Sequence, residues 1–181
     1  MSSPISAADV DRAATLLDGV TRRTPLRASA RLSEATGATV LLKREDVQPV
    51  RSYKLRGAYT LIASLTEEER AKGVVCASAG NHAQGVAFAC AELGVHARIY
   101  LPRTTPRQKR DRVAAIGGPS VEVVVRGDVY DDAAEAALRD AAETGATVVP
   151  AFDAADVMAG QGTIAAEIVE ELGHAPDVVV V

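Results

Sequence analysis

The feature that most constrains this sequence is a regular alternation of short apolar runs with longer segments of helical periodicity. The apolar runs are continuous, which is typical of strands that are buried on both faces. Because a helical segment follows almost every run, the sequence predicts an α/β fold with a parallel sheet covered by helices on both sides. The predicted strands cover residues 74–77, 97–101, 121–125, 147–149 and 177–181, and the predicted helices cover 82–93, 106–116, 130–143 and 160–172.

The N-terminal part of the chain carries weaker signals. Ser6 followed by Asp9 resembles a capping box, so we expect a helix from there to about Leu17. A short strand is predicted over 39–42, and Ser52 is placed to cap a second helix that runs to about Leu65. Glycines are also expected in the left-handed conformation just past four helix ends. These are Gly73, Gly94, Gly117 and Gly145.

Composition excludes several classes of function. The net charge of −4 gives no electrostatic footprint for nucleic acid, and the basic run 103–112 is read as a solvated helix face. No apolar run approaches the roughly 18 residues of a membrane span, and the first residues do not resemble a secretory signal. The cytoplasm is therefore the expected compartment. Cys76 and Cys90 lack metal-ligand spacing, so we expect buried free thiols and no metal site.

Lys54 is the first candidate for chemistry. If Ser52 caps the helix, Lys54 lies in the first helical turn, where the helix dipole disfavours a cation. That field favours the neutral, nucleophilic amine that covalent catalysis on a carbonyl requires. On these residues alone, an exposed lysine whose head group reaches into solvent is the preferred explanation.

The second candidate is the segment 78–85, SAGNHAQG, between a predicted buried strand and a predicted helix. Gly80 allows close approach of a ligand to the backbone, and the free N–H groups of the helix start form an anion site. The segment lacks the lysine of a phosphate-binding P-loop and the full dinucleotide fingerprint. A carboxylate is thus as plausible a ligand as a phosphate, and a plain strand-to-helix turn is the alternative.

Together these segments resemble the threonine and serine dehydratase family, which are pyridoxal-phosphate enzymes of the tryptophan-synthase-β-like fold. The resemblance covers essentially the whole chain. It rests on three segments: 52–58 (SYKLRGA), preceded by 43–46 (KRED) and 48–49 (QP), then 78–85, then 159–163 (AGQGT). It implies open parallel or mixed sheets with helices on both faces. Arg51, in place of an aromatic residue, and 150–152 (PAF), in place of His-Pro-Phe, depart from the family pattern.

The resemblance implies roles for individual residues. Lys54 would hold pyridoxal 5′-phosphate through its ε-amine and, once freed, act as the acid–base group on the substrate Cα. Tyr53, where the family more often has Phe, would pack against the pyridine ring, and Asn81 would bind the cofactor's 3′-oxygen. The substrate carboxylate would be held by the loop residues Ser78, Ala79, Gly80, Asn81 and His82.

The resemblance also implies a division of the chain. Residues 1–55 would form the N-terminal part of a large cofactor domain, 56–151 a small βα domain, and 152–181 the return to the large one. In the family, a strand like 177–181 leads into a glycine-rich loop for the cofactor phosphate. We therefore expect the chain to be an incomplete enzyme, with weak cofactor binding and no useful turnover by itself.

The implied reaction converts L-threonine to 2-oxobutanoate and ammonia, and L-serine to pyruvate, in an enzyme expected to be a homo-oligomer. Serine dehydratase and serine racemase are near alternatives. Racemases of the family tend to carry serine at the position of Ala79, where it donates a proton, and alanine cannot do so. The sequence is also compatible with a β-replacement enzyme such as a cysteine synthase, and with a non-catalytic truncated remnant.

Overall fold

A four-stranded parallel sheet forms the centre of the computed structural model, which describes residues 5–181. Its strands are β3 (Val74–Ala77), β4 (Ala97–Leu101), β5 (Val121–Val125) and β6 (Thr147–Val148), in the order β5-β4-β3-β6. A separate antiparallel pair consists of β1 (Leu26–Ala28) and β2 (Leu41–Lys43). The α/β class and the parallel sheet expected from the sequence are therefore confirmed.

Eight α-helices accompany these strands in the described part of the chain. In chain order they are α1 (Ala7–Leu17), α2 (Ala30–Thr36), α3 (Lys54–Ser64), α4 (Glu67–Lys72), α5 (Asn81–Leu93), α6 (Arg107–Gly117), α7 (Tyr130–Thr144) and α8 (Ala155–Leu172). Two short 3-10 turns lie at Glu45–Val47 and Gly118–Ser120. None of the helices within residues 5–181 has both the length and the apolar composition needed to cross a bilayer.

The two faces of the parallel sheet are covered by different helices. Alternate side chains of one strand point to opposite faces. Ile99 and Leu101 of β4 therefore join the main core with α5 and α3, whereas Tyr100 packs against Ala133 and Ala137 of α7. The central strands β3 and β4 are largely buried, whereas the edge strands β5 and β6 are half-buried, with Glu122 of β5 exposed.

Helix α3 is packed between α5 and α8, and glycines allow both contacts. A Cβ on Gly57 would lie 2.8 Å from the carbonyl oxygen of Val157, and one on Gly160 would lie 2.7 Å from the carbonyl oxygen of Arg56. Such distances leave no room for a side chain, so the α3 and α8 backbones are in direct contact. The contact between α3 and α8 therefore fixes the start of α3 relative to the connection between β6 and α8.

A buried polar cluster reinforces the same junction. The guanidinium of Arg56, 1% exposed, lies 2.9 Å from Glu45 and 2.7 Å from Glu167. Thr163 of α8 accepts a further hydrogen bond from Arg56 at 3.0 Å, and the amine of Lys43 lies 2.7 Å from Glu167. Burial would raise the pKa of Glu167, but hydrogen bonds from Arg56 and Lys43 outweigh it and hold the pKa below its ordinary value.

Several predicted boundaries are wrong. No strand forms over 177–181. These residues have no regular structure and their valines are exposed, because no other described strand pairs with them. Helix α8 begins at Ala155, not residue 160, and its N-cap residue Ala154 makes no side-chain cap bond that could have marked the start.

Two capping predictions also need correction. Ser52 does not cap α3, because the N-cap position belongs to Tyr53, and the Ser52 hydroxyl is buried without a partner in the described residues. Gly117 is the last residue of α6, and the left-handed residue is Gly118, with φ of 51°. A Cβ on Gly117 would meet the Val121 side chain at 2.1 Å, so its role is close packing. The Ser6–Asp9 capping box, by contrast, is confirmed.

Candidate active site

The ε-amine of Lys54 lies at the junction of three segments. Lys54 is the first residue of α3, and its Nζ donates a hydrogen bond of 2.6 Å to the carbonyl oxygen of Ala151, in the connection between β6 and α8. The same nitrogen lies 5.2 Å from the ring centre of Tyr53 and 5.9 Å from that of Phe152. The amine is half-buried, so it is held in place and still accessible to a small molecule.

Helix α5, which follows the loop 78–80, packs against the backbone of Lys54. Gly85, one turn into α5, packs so closely on Lys54 that an added Cβ would lie 2.8 Å from the Lys54 carbonyl carbon. Within residues 5–181, the backbone N–H groups of Asn81, His82 and Ala83 donate no hydrogen bond. Free N–H groups at the start of a 13-residue helix form an anion site, which suits a carboxylate.

The residues of the predicted loop differ in how far they are exposed to solvent. Ser78, Ala79 and Gly80 are half-buried, and the Ser78 hydroxyl accepts a hydrogen bond of 3.2 Å from the Gly80 N–H. The side chain of Asn81 is exposed, so it is available to a ligand. The structure thus brings the predicted lysine and the predicted loop into one place.

His82 points into the protein. Its Nε2 lies 2.9 Å from the carbonyl oxygen of Val149, which requires that nitrogen to carry the proton and donate. Burial lowers the pKa of His82, and the charge of Lys54 lowers it further, against the opposing effect of the Val149 hydrogen bond. The ring of His82 thus fixes the segment that precedes Ala151, while its backbone N–H remains part of the anion site.

Ala151 and Phe152 belong to this site although the sequence alone does not place them there. They are 97 and 98 positions from Lys54, and only the fold brings them to the amine. In the sequence, residues 150–152 stand out only as a departure from the family pattern. Their position immediately after a predicted strand is a usable signal, because ligands of α/β sheets bind at the carboxyl ends of strands.

Gln161, in the third family segment, is unusual. Both polar atoms of its amide are buried and lack a hydrogen-bond partner among the described residues. Within the same part of the chain, no group of three or more His, Cys, Asp or Glu side chains is placed to hold a metal ion.

The residues present fit a planar aldehyde cofactor. A primary amine that is held but accessible can condense with an aldehyde, and the two aromatic rings beside it suit an aromatic ligand. The anion site at α5 then lies where an amino-acid carboxylate would be placed. The fold and the site together define an α/β protein whose reactive group is a lysine amine at the N-terminus of a helix.

Comparison with known proteins gives this class a family. Residues 17–181 match the pyridoxal-phosphate dependent enzymes, and the chain belongs to that family, whose cofactor is pyridoxal 5′-phosphate. The resemblance drawn from the three sequence segments is thereby confirmed. The biosynthetic L-threonine dehydratase of Mycobacterium tuberculosis is 58% identical over 183 residues, which cover 99% of this chain and 43% of that protein.

Solved structures agree on the fold. The processed form of threonine deaminase isoform 2 from Solanum lycopersicum is 40% identical with a TM-score of 0.82, over 93% of this chain and 48% of that one. Maize serine racemase is 29% identical with a TM-score of 0.88, over 94% and 51%. The chain thus spans about half the length of these relatives.

Proposed function

We propose that the protein carrying this chain is a threonine dehydratase, which converts L-threonine to 2-oxobutanoate and ammonia. The observation that carries the proposal is the packing of Lys54 against α5, the helix that begins at the 78–82 loop, together with the hydrogen bonds of the Lys54 amine and the His82 ring to the same 149–151 segment. The 58% identity to a mycobacterial enzyme named L-threonine dehydratase supports the choice of substrate. The mycobacterial enzyme is named as biosynthetic, which supports a role in amino-acid synthesis, with isoleucine as the proposed end product.

Each residue has a proposed part. Lys54 holds the cofactor through its ε-amine and, when released, moves the proton at the substrate Cα. Tyr53 lies against the cofactor ring and Asn81 reaches its 3′-oxygen. The backbone N–H groups and hydroxyl of the loop, from Ser78 to His82, orient the substrate carboxylate. When bound, the cofactor supplies an electron sink for the electron pair left at Cα, so the β-hydroxyl can leave.

The domain division is part of the proposal. Residues 1–55 and 152–181 would belong to a large domain and 56–151 to a small one. The parallel sheet β3–β6 falls entirely within the second range, and the β1–β2 pair within the first, which supports this division. A site at the border between the two ranges suits a small-molecule enzyme, since closure around the substrate would exclude water. A cytoplasmic homo-oligomer is the corresponding proposal for the whole protein.

Serine is the second proposed substrate, giving pyruvate and ammonia. Threonine and serine differ by one methyl group, and an apolar pocket discriminates one methylene by only about 10- to 200-fold. Racemisation is the alternative that the maize structure raises. Ala79 argues against it, because its side chain has no proton to deliver to the opposite face of the substrate Cα.

Trapping and turnover test the proposal together. The full-length protein that carries this chain is incubated with pyridoxal phosphate, reduced with borohydride and mapped by mass spectrometry, and we expect the adduct on Lys54. With threonine we expect 2-oxobutanoate, and Lys54→Ala should lower its formation by at least about 10²- to 10⁴-fold. Lys109→Ala, at an exposed lysine of α6, is the matched control. Undiminished deamination in Lys54→Ala would exclude the proposed mechanism.

A further inference from the structure

Phe152 is a large apolar side chain that the fold leaves in solvent beside the reactive amine. It is 72% exposed, and its ring centre lies 5.9 Å from Nζ of Lys54. The chain has four tyrosines, two phenylalanines and no tryptophan. Two of these few aromatic rings, Tyr53 and Phe152, face the same nitrogen, although they come from segments far apart in the sequence.

Two features constrain the backbone on either side of Phe152. The Val149 carbonyl accepts the hydrogen bond from His82, and the Ala151 carbonyl accepts the one from Lys54. On the other side, Asp153 has φ of 57°, a left-handed conformation that Asp tolerates better than most residues. Phe152 lies between a fixed carbonyl and a reversed backbone, and helix α8 begins shortly afterwards at Ala155.

This arrangement has no evident role in stability. A side chain that is 72% exposed buries little apolar area, so it adds little to the core. Residues held in uncommon backbone conformations are concentrated at functional sites. In the described residues, the two non-glycine residues with positive φ are Arg51 and Asp153, one in each of the segments that meet at Lys54.

We propose that Phe152 is a cofactor-contacting residue, whose ring lies against the planar ring of the aldehyde cofactor and makes Lys54 selective for aromatic aldehydes. The inference rests on the proposed function, because it requires Lys54 to be the amine that holds the cofactor. A cofactor ring joined to Nζ through one carbon atom would have its centre about 4.5–7 Å from the centre of the Phe152 ring, which is the separation at which aromatic pairs attract each other. Phe152 and Tyr53 would then both contact the ring of the cofactor.

Competition between aldehydes tests the inference on the full-length protein that carries this chain. The protein reacts in parallel with pyridoxal phosphate, with pyridoxal and with formaldehyde, and cyanoborohydride traps the products. Mass spectrometry then gives the labelling rate of Lys54 relative to the exposed Lys109. Pyridoxal separates the contribution of the ring from that of the phosphate, and formaldehyde reports the accessibility of the amine alone.

In the wild-type protein we expect Lys54 to prefer both aromatic aldehydes over formaldehyde. Phe152→Ala should reduce that preference by about 2- to 10-fold, the contribution of one aromatic pair, and leave formaldehyde labelling unchanged. Phe152→Tyr should retain the preference. Leu138→Ala, which removes an exposed side chain of α7, is the matched control and should change nothing.

The outcomes separate the two proposals. An unchanged preference in Phe152→Ala, with Lys54 still labelled by pyridoxal phosphate, overturns the role of Phe152 and leaves the proposed function standing. An equal loss with all three aldehydes also overturns it, because the ring would then only position the lysine. Failure of pyridoxal phosphate to label Lys54 faster than Lys109 in the wild-type protein contradicts both proposals.

Discussion

Gly85 of α5 lies directly against the backbone of Lys54. An added Cβ would be 2.8 Å from the carbonyl carbon of Lys54 and 2.9 Å from its carbonyl oxygen. Backbone atoms cannot move aside as the end of a flexible side chain can. The absence of a side chain at Gly85 therefore sets how close the helix that carries the loop approaches the helix that carries the lysine.

We expect Gly85→Ala to push these two helices apart. Overpacking of this kind costs about 1–3 kcal/mol of the free energy of unfolding, which denaturant titration measures. The same change should slow trapping of pyridoxal phosphate on Lys54. Gly80→Ala is the steric control for stability, because a Cβ there meets nothing within 4 Å. Equal stabilities of the wild-type and Gly85→Ala proteins would contradict the close contact between the two helices.

Removal of Arg56 should destabilise the fold strongly. Arg56→Met leaves Glu45 without its buried cation and Glu167 with Lys43 alone, and breaking a buried pair costs about 3–5 kcal/mol. Denaturant unfolding measures the loss. The exposed pair Arg139–Glu135, at 2.6 Å, is the matched control, and Arg139→Ala should change stability by less than about 1 kcal/mol.

A second change at the same cluster tests the cause of this loss. Glu45→Gln in the Arg56→Met background removes the buried charge that has lost its cation, whereas Glu167 keeps Lys43. We expect part of the stability to return. If the double variant is no more stable than Arg56→Met, lost packing outweighs uncompensated charge.

The stability of the protein should depend on pH through His82. Burial lowers its pKa in the folded state, so the unfolded chain binds the proton more readily. The stabilising contribution is complete above the unfolded pKa of about 6.5 and is lost as the pH falls from there toward the folded pKa. We expect the free energy of unfolding to decrease from pH 7.5 to about pH 5.5.

His82→Gln should flatten this dependence, since glutamine does not titrate in that range. The control is His96→Gln, because His96 is exposed. Urea titrations at several pH values measure the effect. A slope in His82→Gln as steep as in the wild type would show that another group is responsible.

The two cysteines should be inert in the folded protein. Both are free and buried, as expected from the sequence. Burial raises the pKa of Cys76 far above its ordinary value and that of Cys90 to about 12, so neither forms the reactive thiolate at neutral pH. We expect no reaction with a thiol reagent at pH 8 before unfolding and reaction of both thiols in denaturant. Fast labelling of either one in the native state would contradict this burial.

The parallel sheet is the part of the fold that the sequence predicts best. The predicted bounds of β3, β4 and β5 match the structure because each strand is a continuous apolar run between glycine-rich or polar turns. The strand β1 and the helix α2 are not predicted. Leu26–Ala28 includes a single large apolar residue, and none of the residues of α2 is buried, so neither segment carries a strong pattern.

The candidate site is predicted in part. Lys54 and the loop 78–82 belong to local patterns that a sequence displays directly. The Ser52 cap is wrong because the chain reverses at Arg51, with φ of 60°, and buries Ser52 before the helix starts. The end of a predicted strand marks 150–152 as a place where a ligand can bind, but no local pattern relates Ala151 and Phe152 to Lys54, because that contact exists only after the sheet has formed.

The contact between Lys54 and Ala151 closes a loop of 97 residues, and this has a consequence for how the protein matures. Contacts of such long range form late, since the chain entropy of closing the loop opposes them. A ribosome has already released most of the sheet before the partner of the amine emerges. We therefore expect the Lys54 amine of a newly made chain to lack this hydrogen bond until Ala151 is in place.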